Sequence, residues 1–366
     1  MERQLSAICG DEGPVVYNEV RSVSLWAGYG WLKTLEVKDP VSRVLIHKFI
    51  DPVRSDGDSS SVGHRRKVAS YKNEANFYAK LAPILSNQHL RLPICFHSGD
   101  LSGDVTSIFM EDLQQQYPVE NVHSLNREQT VAAVKWLAKL HALCWHRNYE
   151  EEMQLAEEGS YWYLDTRLDE YESIDQGEWG GLKTAAKALS DRMKKGNSGA
   201  GWTIIHGDYK AANLMYSESC EDEYGDRFCK CAGIDFQYTG GGYGARDLVM
   251  LIVCGCKLHC DDMTCGIDME TEVLDLYYQC LCDEMSSRDD GDELMQSYTL
   301  SLLRGQYELA LMDMVRFLAG WGMWGNSNYA RQRVKALLRT LDRGESLSEQ
   351  GYRDALERQY PHQVNY

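Results

Sequence analysis

The chain has 366 residues and a formal net charge of −17 at pH 7. This length allows one large domain or two lobes, and the 43% of hydrophobic and 25% of charged residues are ordinary for a globular protein. The excess negative charge lies after residue 100, which argues against a nucleic-acid partner. The acidic part of the chain either steers a cationic substrate or forms a solvated surface.

No apolar run reaches the roughly 18 residues of a membrane helix. The nearest, Leu248–Cys256, is far too short. The first residues, Met1–Ser6, lack the apolar segment of a signal peptide, so we expect a cytoplasmic protein. In that compartment the 12 cysteines are expected to be reduced thiols and not a disulfide framework.

Three strands are predicted near the N-terminus, over Val15–Leu25, Leu32–Lys38 and Arg43–Ile50. Between the first two, Gly28 and Gly30 form either an ordinary turn or a turn whose backbone amides approach a phosphate. The third strand contains Lys48 in an apolar run. A buried ammonium needs a phosphate or carboxylate partner, unless the side chain extends to solvent.

A Ser-rich and Gly-containing segment with a basic end, His64–Lys67, precedes a helix predicted over Ser70–Leu85. On this helix Glu74 lies beside the apolar face, within reach of Lys48. Leu92–His97 and Val105–Leu113 are predicted to complete a five-stranded sheet. The composition then becomes polar, so we predict an N-terminal lobe over residues 1–113 and a mostly helical C-terminal lobe over residues 114–366.

In the second lobe, Asn126 and Gln129 form the pattern of a capping box for a helix over Arg127–His146. A strand is predicted over Phe228–Phe236 and a glycine-rich loop over Tyr238–Tyr243. Further helices are predicted over Gly181–Lys195, Ala245–Lys257, Met269–Ser287, Glu293–Gly320, Asn326–Leu341 and Ser348–Gln359.

The stretch Thr203–Tyr216 carries the chemistry. Two apolar runs flank a polar loop with Asp208, Lys210 and Asn213, and a later strand ends at Asp235. Phosphoryl transfer uses one carboxylate for the acceptor's proton, an amide and a second carboxylate for magnesium, and a lysine for the phosphate charge. We therefore predict that ATP and a hydroxyl or amine acceptor meet at this loop.

The order of these motifs resembles that of the aminoglycoside phosphotransferase and choline kinase superfamily, over roughly residues 15–260. The matching motifs are His206-Gly207-Asp208 with Asn213, Asp235-Phe236-Gln237 and Ala245-Arg246-Asp247-Leu248. Tyr71-x-x-Glu74-x-x-Phe77-Tyr78 and Met110-Glu111-Asp112-Leu113 are similar to the ecdysteroid-kinase-like and CHK-kinase-like branch. The resemblance implies an α+β fold of the two-lobed protein-kinase type, with a five-stranded antiparallel sheet and one main helix in the N-terminal lobe.

The resemblance also implies a set of roles. Asp208 would be the catalytic base, and Asn213 and Asp235 would bind Mg²⁺. Lys48, held by Glu74, would contact the α- and β-phosphates of ATP, and Gly28 and Gly30 would cover the phosphates. Main-chain groups around Glu111 would receive the adenine. His206 would support the loop. Lys210 departs from the small-molecule kinases and resembles the protein-kinase Asp-x-Lys-x-x-Asn pattern, in which the lysine neutralises the γ-phosphate.

Three alternatives remain open. A protein kinase is disfavoured because the interval from Asp235 to Asp247 spans only 12 positions and no Ala-Pro-Glu follows. Choline kinase itself is disfavoured by Gln237, where a Glu is expected. A pseudokinase that binds nucleotide without transferring phosphate is opposed by the complete set of site residues.

Two further groups of residues have uncertain uses. The aromatic segments Tyr161–Tyr163 and Trp321–Trp324 either pack in the core or line an acceptor pocket suited to an amine or quaternary ammonium. The dense group Cys254, Cys256, His259, Cys260 and Cys265 lacks paired C-x-x-C spacing, so buried thiols are favoured over a zinc site.

Overall fold

A computed structural model describes residues 1–10, 15–25, 28–40, 42–52, 61–99, 106–119 and 123–361. Trp26 and Ala27 of the predicted glycine turn, residues 53–60 of the Ser-rich segment and Val105 of the fifth predicted strand lie outside the described residues. None of the described helices is both long enough and apolar enough to cross a lipid bilayer.

The N-terminal part of the chain forms the expected five-stranded antiparallel sheet, in the order β1-β2-β3-β5-β4. Its strands are β1 (Val16–Ser24), β2 (Gly30–Asp39), β3 (Arg43–Ile50), β4 (Cys95–Ser98) and β5 (Thr106–Glu111). In the central strand β3, Lys48 pairs with Leu32 of β2 and Ile108 of β5. The rich supply of β-branched residues in β3 accounts for its accurate prediction.

The packing of the sheet explains why glycine is required at position 30, one of the two glycines of the predicted turn. Gly30 has a φ of +147°, and an added Cβ would lie 2.0 Å from the carbonyl oxygen of Phe49. The close approach of β2 to β3 therefore requires glycine at this position. Gly28 has a φ of +73°, and its N–H donates to the carbonyl of Leu25 at 3.2 Å.

Helix α1 (Glu2–Cys9) has no counterpart in the prediction. It covers one face of the sheet through the buried Leu5, which packs with Leu35, Val37, Leu45 and Phe109. Helix α2 (Val62–Asn76) begins eight residues before the predicted start, because Ser61 caps it by accepting from the His64 N–H at 3.1 Å. A π-helical turn (Phe77–Leu81) and α3 (Ala82–Asn87) follow.

The rest of the chain is mostly helical, as predicted. The helices are α4 (Arg127–Cys144), α5 (Tyr149–Glu152), α6 (Leu168–Glu172), α7 (Gln176–Arg192), α8 (Ala245–Cys254), α9 (Met263–Met285), α10 (Gly291–Gln296), α11 (Leu300–Trp321), α12 (Ser327–Asp342) and α13 (Glu349–Gln359). The capping box of α4 is present, with both Asn126 and Gln129 bonded as expected. The single helix predicted over Glu293–Gly320 is instead divided, because Thr299 caps α11 by accepting from the Leu302 N–H.

Short antiparallel ladders frame the polar loop. They are β6 (Trp202–Ile205) with β11 (Gly240–Tyr243), β7 (Leu214–Tyr216) with β10 (Cys231–Gly233), and β8 (Cys220–Glu221) with β9 (Arg227–Phe228). The strand predicted over Phe228–Phe236 is thus divided in two.

The predicted loop Tyr238–Tyr243 contains strand β11. Its glycines allow close packing: an added Cβ at Gly240 would lie 2.5 Å from the carbonyl oxygen of Ala156, and one at Gly242 would lie 2.7 Å from Ile205 Cδ1. Glycine therefore permits this strand although it lacks intrinsic strand propensity.

The prediction of reduced cysteines is wrong at two positions, because a disulfide joins Cys260 to Cys265. The other ten are free thiols. Cys260, Asp262 and Cys265 have ligand atoms close together, but the two sulfurs are bonded to each other and are not available as thiolate ligands. The Cα atoms of Cys260 and Cys265 lie 6.0 Å apart, within the usual range for a disulfide.

Candidate active site

A buried ion pair connects the sheet to helix α2. Lys48 Nζ lies 2.6 Å from Glu74 Oε2 and 3.2 Å from Asp235 Oδ1. Burial disfavours the Lys48 ammonium, but the attraction of Asp235 and Glu74 outweighs it and raises the pKa of Lys48. The prediction that Glu74 reaches Lys48 is therefore met in the structure, and the lysine remains charged.

Glu74 itself is fully buried, and its second oxygen, Oε1, has no hydrogen-bond partner. Burial raises its pKa from 4.5 to about 7, although Lys48 opposes the shift. The folded protein therefore binds a proton here that the unfolded chain has already released. This contribution to stability is lost as the pH rises from about 4.5 to about 7.

Replacement of Glu74 by Gln should remove this pH dependence. We expect the wild-type free energy of unfolding, relative to that of Glu74→Gln, to fall by about 3 kcal/mol between pH 4.5 and 7. Urea unfolding at a series of pH values measures the difference. Two stability curves that run parallel across this interval would contradict the assignment.

Asp208 lies in the polar loop between β6 and β7 and is only 4% exposed. Its Oδ2 accepts from Lys210 Nζ at 2.9 Å and from Asn213 Nδ2 at 3.0 Å. Its Oδ1 is buried and has no hydrogen-bond partner. Burial raises the pKa of Asp208 against the opposing charge of Lys210, so the carboxylate has a higher proton affinity than an ordinary aspartate.

Asp247 of α8 binds the backbone of the loop that carries Asp208. Its two carboxylate oxygens accept from the backbone N–H groups of His206 at 2.7 Å and Gly207 at 2.9 Å. His141 Nε2 lies 3.2 Å from the same carboxylate and is fixed by the hydroxyl of Tyr277 at 2.8 Å from Nδ1. Asp247 therefore fixes the backbone that precedes Asp208.

His206 is occupied on both ring nitrogens. Nε2 donates to the carbonyl of Ile234 at 3.0 Å, and Nδ1 accepts from the Asp208 N–H at 3.3 Å. Since neither nitrogen is open to a substrate, His206 supports the loop and is not placed to act as a base.

Gly207 and Gly196 have the same φ, +81°. An added Cβ at Gly207 would lie 2.0 Å from the carbonyl oxygen of Tyr238, whereas Gly196 has no heavy atom within 4 Å. Gly196→Ala should lower the free energy of unfolding by about 1–2 kcal/mol through backbone strain alone. Gly207→Ala should lower it by about 1–3 kcal/mol more, because the backbone must also shift. Equal losses in urea unfolding would contradict the steric role of Gly207.

Asp235 follows β10 at a φ of +64° and is attached to the loop through its neighbour, since the Ile234 N–H donates to the Asn213 carbonyl at 3.0 Å. Partial burial opposes ionisation of Asp235, but Lys48 and Lys67 outweigh this and lower its pKa. Phe236 stacks on Phe77 with ring centroids 3.9 Å apart. These contacts hold Asp235 charged beside the loop.

Helix α2 is fixed to this segment by Asn73. Its amide nitrogen donates to the carbonyls of Gln237 at 3.1 Å and Thr239 at 2.6 Å. Its amide oxygen accepts from the Ala156 N–H at 2.8 Å. One buried amide thus aligns the helix that carries Glu74 with the segment that carries Asp235.

The donor set fits a magnesium ion. The Asn213 amide nitrogen bonds to Asp208, which leaves the amide oxygen as its metal-binding atom, and Asp235 offers a carboxylate that is 37% exposed on its side chain. Amide and carboxylate oxygens are ligands that Mg²⁺ prefers. Asn213 and Asp235 are the residues that would hold it.

A cleft of about 1290 Å³ contains Lys48, Asp208, Lys210, Asn213 and Asp235 together. Its sheet side is lined by apolar residues, namely Leu25, Leu32, Ile46 and Met110. Glu111 also lines it, but its carboxylate pairs with Arg91 at 2.8 Å and its N–H donates to Ile94 at 2.8 Å. Its own N–H is therefore already bonded within the protein.

The other side of the cleft is rich in aromatic residues. The predicted Tyr161, Tyr163, Trp321 and Trp324 line it, whereas Trp162 is buried in the core. The guanidinium of Arg167 lies over the rings of Tyr161, Phe317 and Trp321 at 5.5, 5.2 and 5.4 Å from the ring centroids. Arg167 also pairs with Glu170 at 2.9 Å. The aromatic surface predicted for a substrate cation thus holds a cation of the protein itself.

Comparison with protein families shows the family of the chain. Residues 54–262 match the model of the APH phosphotransferase enzyme family. The match spans more than half of the chain. The chain belongs to this phosphotransferase family. The resemblance inferred from the motifs is confirmed at this level, and the ecdysteroid-kinase-like and CHK-kinase-like branch stays a prediction.

Three solved structures resemble the chain at low sequence identity. One is a thermostable mutant of aminoglycoside phosphotransferase APH(4)-Ia with ADP and hygromycin B, at 11% identity and a TM-score of 0.42 over 93% of this chain and 98% of that one. The amicoumacin kinase hAmiN with AMP-PNP, Ca²⁺ and Ami has 11% identity and a TM-score of 0.47 over 94% and 90%. The choline kinase LicA from Streptococcus pneumoniae has 13% identity and a TM-score of 0.46 over 92% and 96%. No curated protein matches the chain.

The sequence did not single out several residues of this phosphotransferase's cleft. Lys67 donates to Gln237 Oε1 at 3.0 Å, and Asn73 and Arg167 are described above. Lys67 belongs to the basic cluster that was interpreted as the end of a flexible segment. Its spacing of seven residues from Glu74 is the available signal, since residues at i and i+7 share one face of a helix.

Proposed function

We propose that this phosphotransferase is an ATP- and magnesium-dependent kinase that transfers a phosphoryl group to a hydroxyl, or an amine, of a small molecule. The observation that carries the proposal is the state of Asp208. One carboxylate oxygen is fixed by Lys210 and Asn213, and the other is buried without a hydrogen-bond partner in the wall of the cleft. A base that must receive a proton needs an oxygen that no donor of the protein already occupies.

In this proposal residues 1–113 bind the nucleotide and residues 114–366 bind the acceptor. The apolar lining of the sheet side suits an adenine, with main-chain groups around Glu111 next to it. Lys48, held by Glu74, contacts the α- and β-phosphates, and the turn of Gly28 and Gly30 lies over them. Asn213 and Asp235 hold Mg²⁺, which neutralises charge on the phosphates when bound.

The acceptor oxygen then attacks the γ-phosphorus. The bond from that phosphorus to the β–γ bridging oxygen breaks, ADP leaves with the electron pair, and Asp208 takes the proton of the acceptor. Its raised proton affinity supports this role. Lys210, whose Nζ lies 2.9 Å from Asp208 Oδ2, would neutralise the transferred group.

A small acceptor is supported by strand β11. Between Asp235 and Asp247, the residues Gly240–Tyr243 pair with β6, which leaves little of this interval as a docking segment for a protein substrate. The sequence led us to expect a cationic acceptor. Because the guanidinium of Arg167 already covers Tyr161, Phe317 and Trp321, this surface favours a neutral or anionic acceptor instead.

The test is a phosphorylation screen of purified protein with ATP, Mg²⁺ and a panel of hydroxyl- and amine-bearing metabolites from each charge class, read by mass spectrometry. We expect one phosphoryl group to be added to a panel member, and chelation of Mg²⁺ to abolish the transfer. Magnesium-dependent ATP binding without any transfer would favour a pseudokinase. Transfer only to generic protein substrates would favour a protein kinase.

A further inference from the structure

Helix α2 brings a second lysine to the nucleotide side of the cleft. Lys67, Tyr71 and Glu74 are spaced at i, i+4 and i+7 and therefore share one helix face. The ring of Tyr71 lies 5.7 Å from Lys48 Nζ and 5.0 Å from Lys67 Nζ. Two ammonium groups thus lie near one aromatic ring. Lys48 is paired with Glu74, and Lys67 lies one helical turn before Tyr71 on α2.

Lys67 is held in this position by the segment that follows Asp235. Its Nζ donates to Gln237 Oε1 at 3.0 Å, and Gln237 is only 6% exposed. The hydroxyl of Ser70 lies 3.4 Å from the same oxygen. The ring of Tyr238 lies 5.7 Å from Lys67 Nζ. An amide oxygen and two aromatic rings therefore orient the ammonium.

The carboxylates that act on Lys67 belong to residues with a role in the proposed reaction. Burial lowers the pKa of Lys67, and the carboxylates of Asp235, Glu74 and Asp208 oppose this. Lys67 also lines the same cleft as the proposed metal ligand Asp235 and the proposed base Asp208. The γ-phosphate must lie between these two groups during transfer, and an anion there would compensate the partly desolvated ammonium.

We propose that Lys67 binds the γ-phosphate from the N-terminal lobe, across the cleft from Lys210, and that Gln237 positions it. This assignment rests on the proposed function, since it requires ATP in the cleft. It gives three lysines distinct places along the triphosphate: Lys48 at the α- and β-phosphates, and Lys67 and Lys210 on opposite sides of the γ-phosphate.

The experiment compares nucleotides that differ by the γ-phosphate. Isothermal titration in the presence of Mg²⁺ measures binding of ADP and of a non-hydrolysable ATP analogue to wild type, Lys67→Met, Gln237→Met and a control, Lys187→Met. Lys187 lies on α7, and its side chain is 60% exposed. Lys67→Met should weaken binding of the ATP analogue about tenfold or more and binding of ADP less than threefold.

Gln237→Met, which keeps both lysines, should shift the same ratio by a smaller amount, and Lys187→Met should leave it unchanged. Equal weakening of both ligands by Lys67→Met, or no weakening, overturns the inference while the proposed function stands. If Lys67→Met does not fold, an unchanged ratio in Gln237→Met overturns it. A wild type that binds neither nucleotide overturns the proposed function and this inference with it.

Discussion

Asp208→Asn should lower kcat with the true acceptor roughly a hundredfold or more, which is the loss expected for a general base. The amide can still accept from Lys210 and Asn213 but cannot take the acceptor's proton. The KM for ATP should stay within a few-fold, because Asp208 is not among the nucleotide-binding groups we propose. Since Asp208 is a buried carboxylate with a raised pKa, the variant should be at least as stable as wild type.

Steady-state kinetics of wild type and Asp208→Asn, with thermal unfolding as a check of folding, measure this effect. The pH profile adds an independent readout. The acidic limb of kcat/KM should lie above the ordinary aspartate value of 3.8, because burial raises the pKa of Asp208, and it should disappear in the variant. A kcat within a few-fold of wild type would show that Asp208 is not the base.

Lys48→Met should have the second large effect, and on two properties at once. The change leaves Glu74 fully buried without its cation, so the free energy of unfolding should fall by about 3 kcal/mol. Nucleotide affinity should fall about tenfold or more, because a charged contact to the phosphates is lost. Lys187→Met, the same replacement at an exposed position, should alter neither property.

The double variant Lys48→Met/Glu74→Met separates the two properties. Removal of both charges from the core should restore most of the stability, because no unpaired carboxylate remains buried. It should not restore nucleotide binding. Urea unfolding and isothermal titration of the three proteins measure both. A double variant that binds ATP as wild type does would contradict the proposed role of Lys48.

Local sequence signals predicted the parts of the fold that local chemistry decides. β3 begins and ends where its β-branched pattern does, and α4 begins where Asn126 and Gln129 cap it. The site residues Lys48, Glu74, Asp208, Asn213 and Asp235 were identified by their order in the chain, and the structure brings all five to one cleft. Their roles stay predictions until the variants are measured.

The remaining features depend on contacts between distant segments. β11 exists because its glycines let β6 and residues 156–159 approach closely, and no local propensity announces that contact. Gly30 serves the approach of β2 to β3, whereas its sequence context indicated only a turn, either an ordinary one or one that approaches a phosphate. Arg167 and Lys67 enter the cleft through tertiary packing against Tyr161 and Gln237.

Asp247 has a consequence for how the protein moves. Because one buried carboxylate of α8 binds the backbone N–H groups of His206 and Gly207, those two amides cannot meet solvent unless α8 separates from the loop. Their hydrogen exchange should therefore be as slow as that of the core of the helical lobe, and much slower than that of the exposed hairpin β8–β9. The loop that carries Asp208 is therefore as rigid as the helical lobe, and it exposes these amides to solvent only when that lobe unfolds locally.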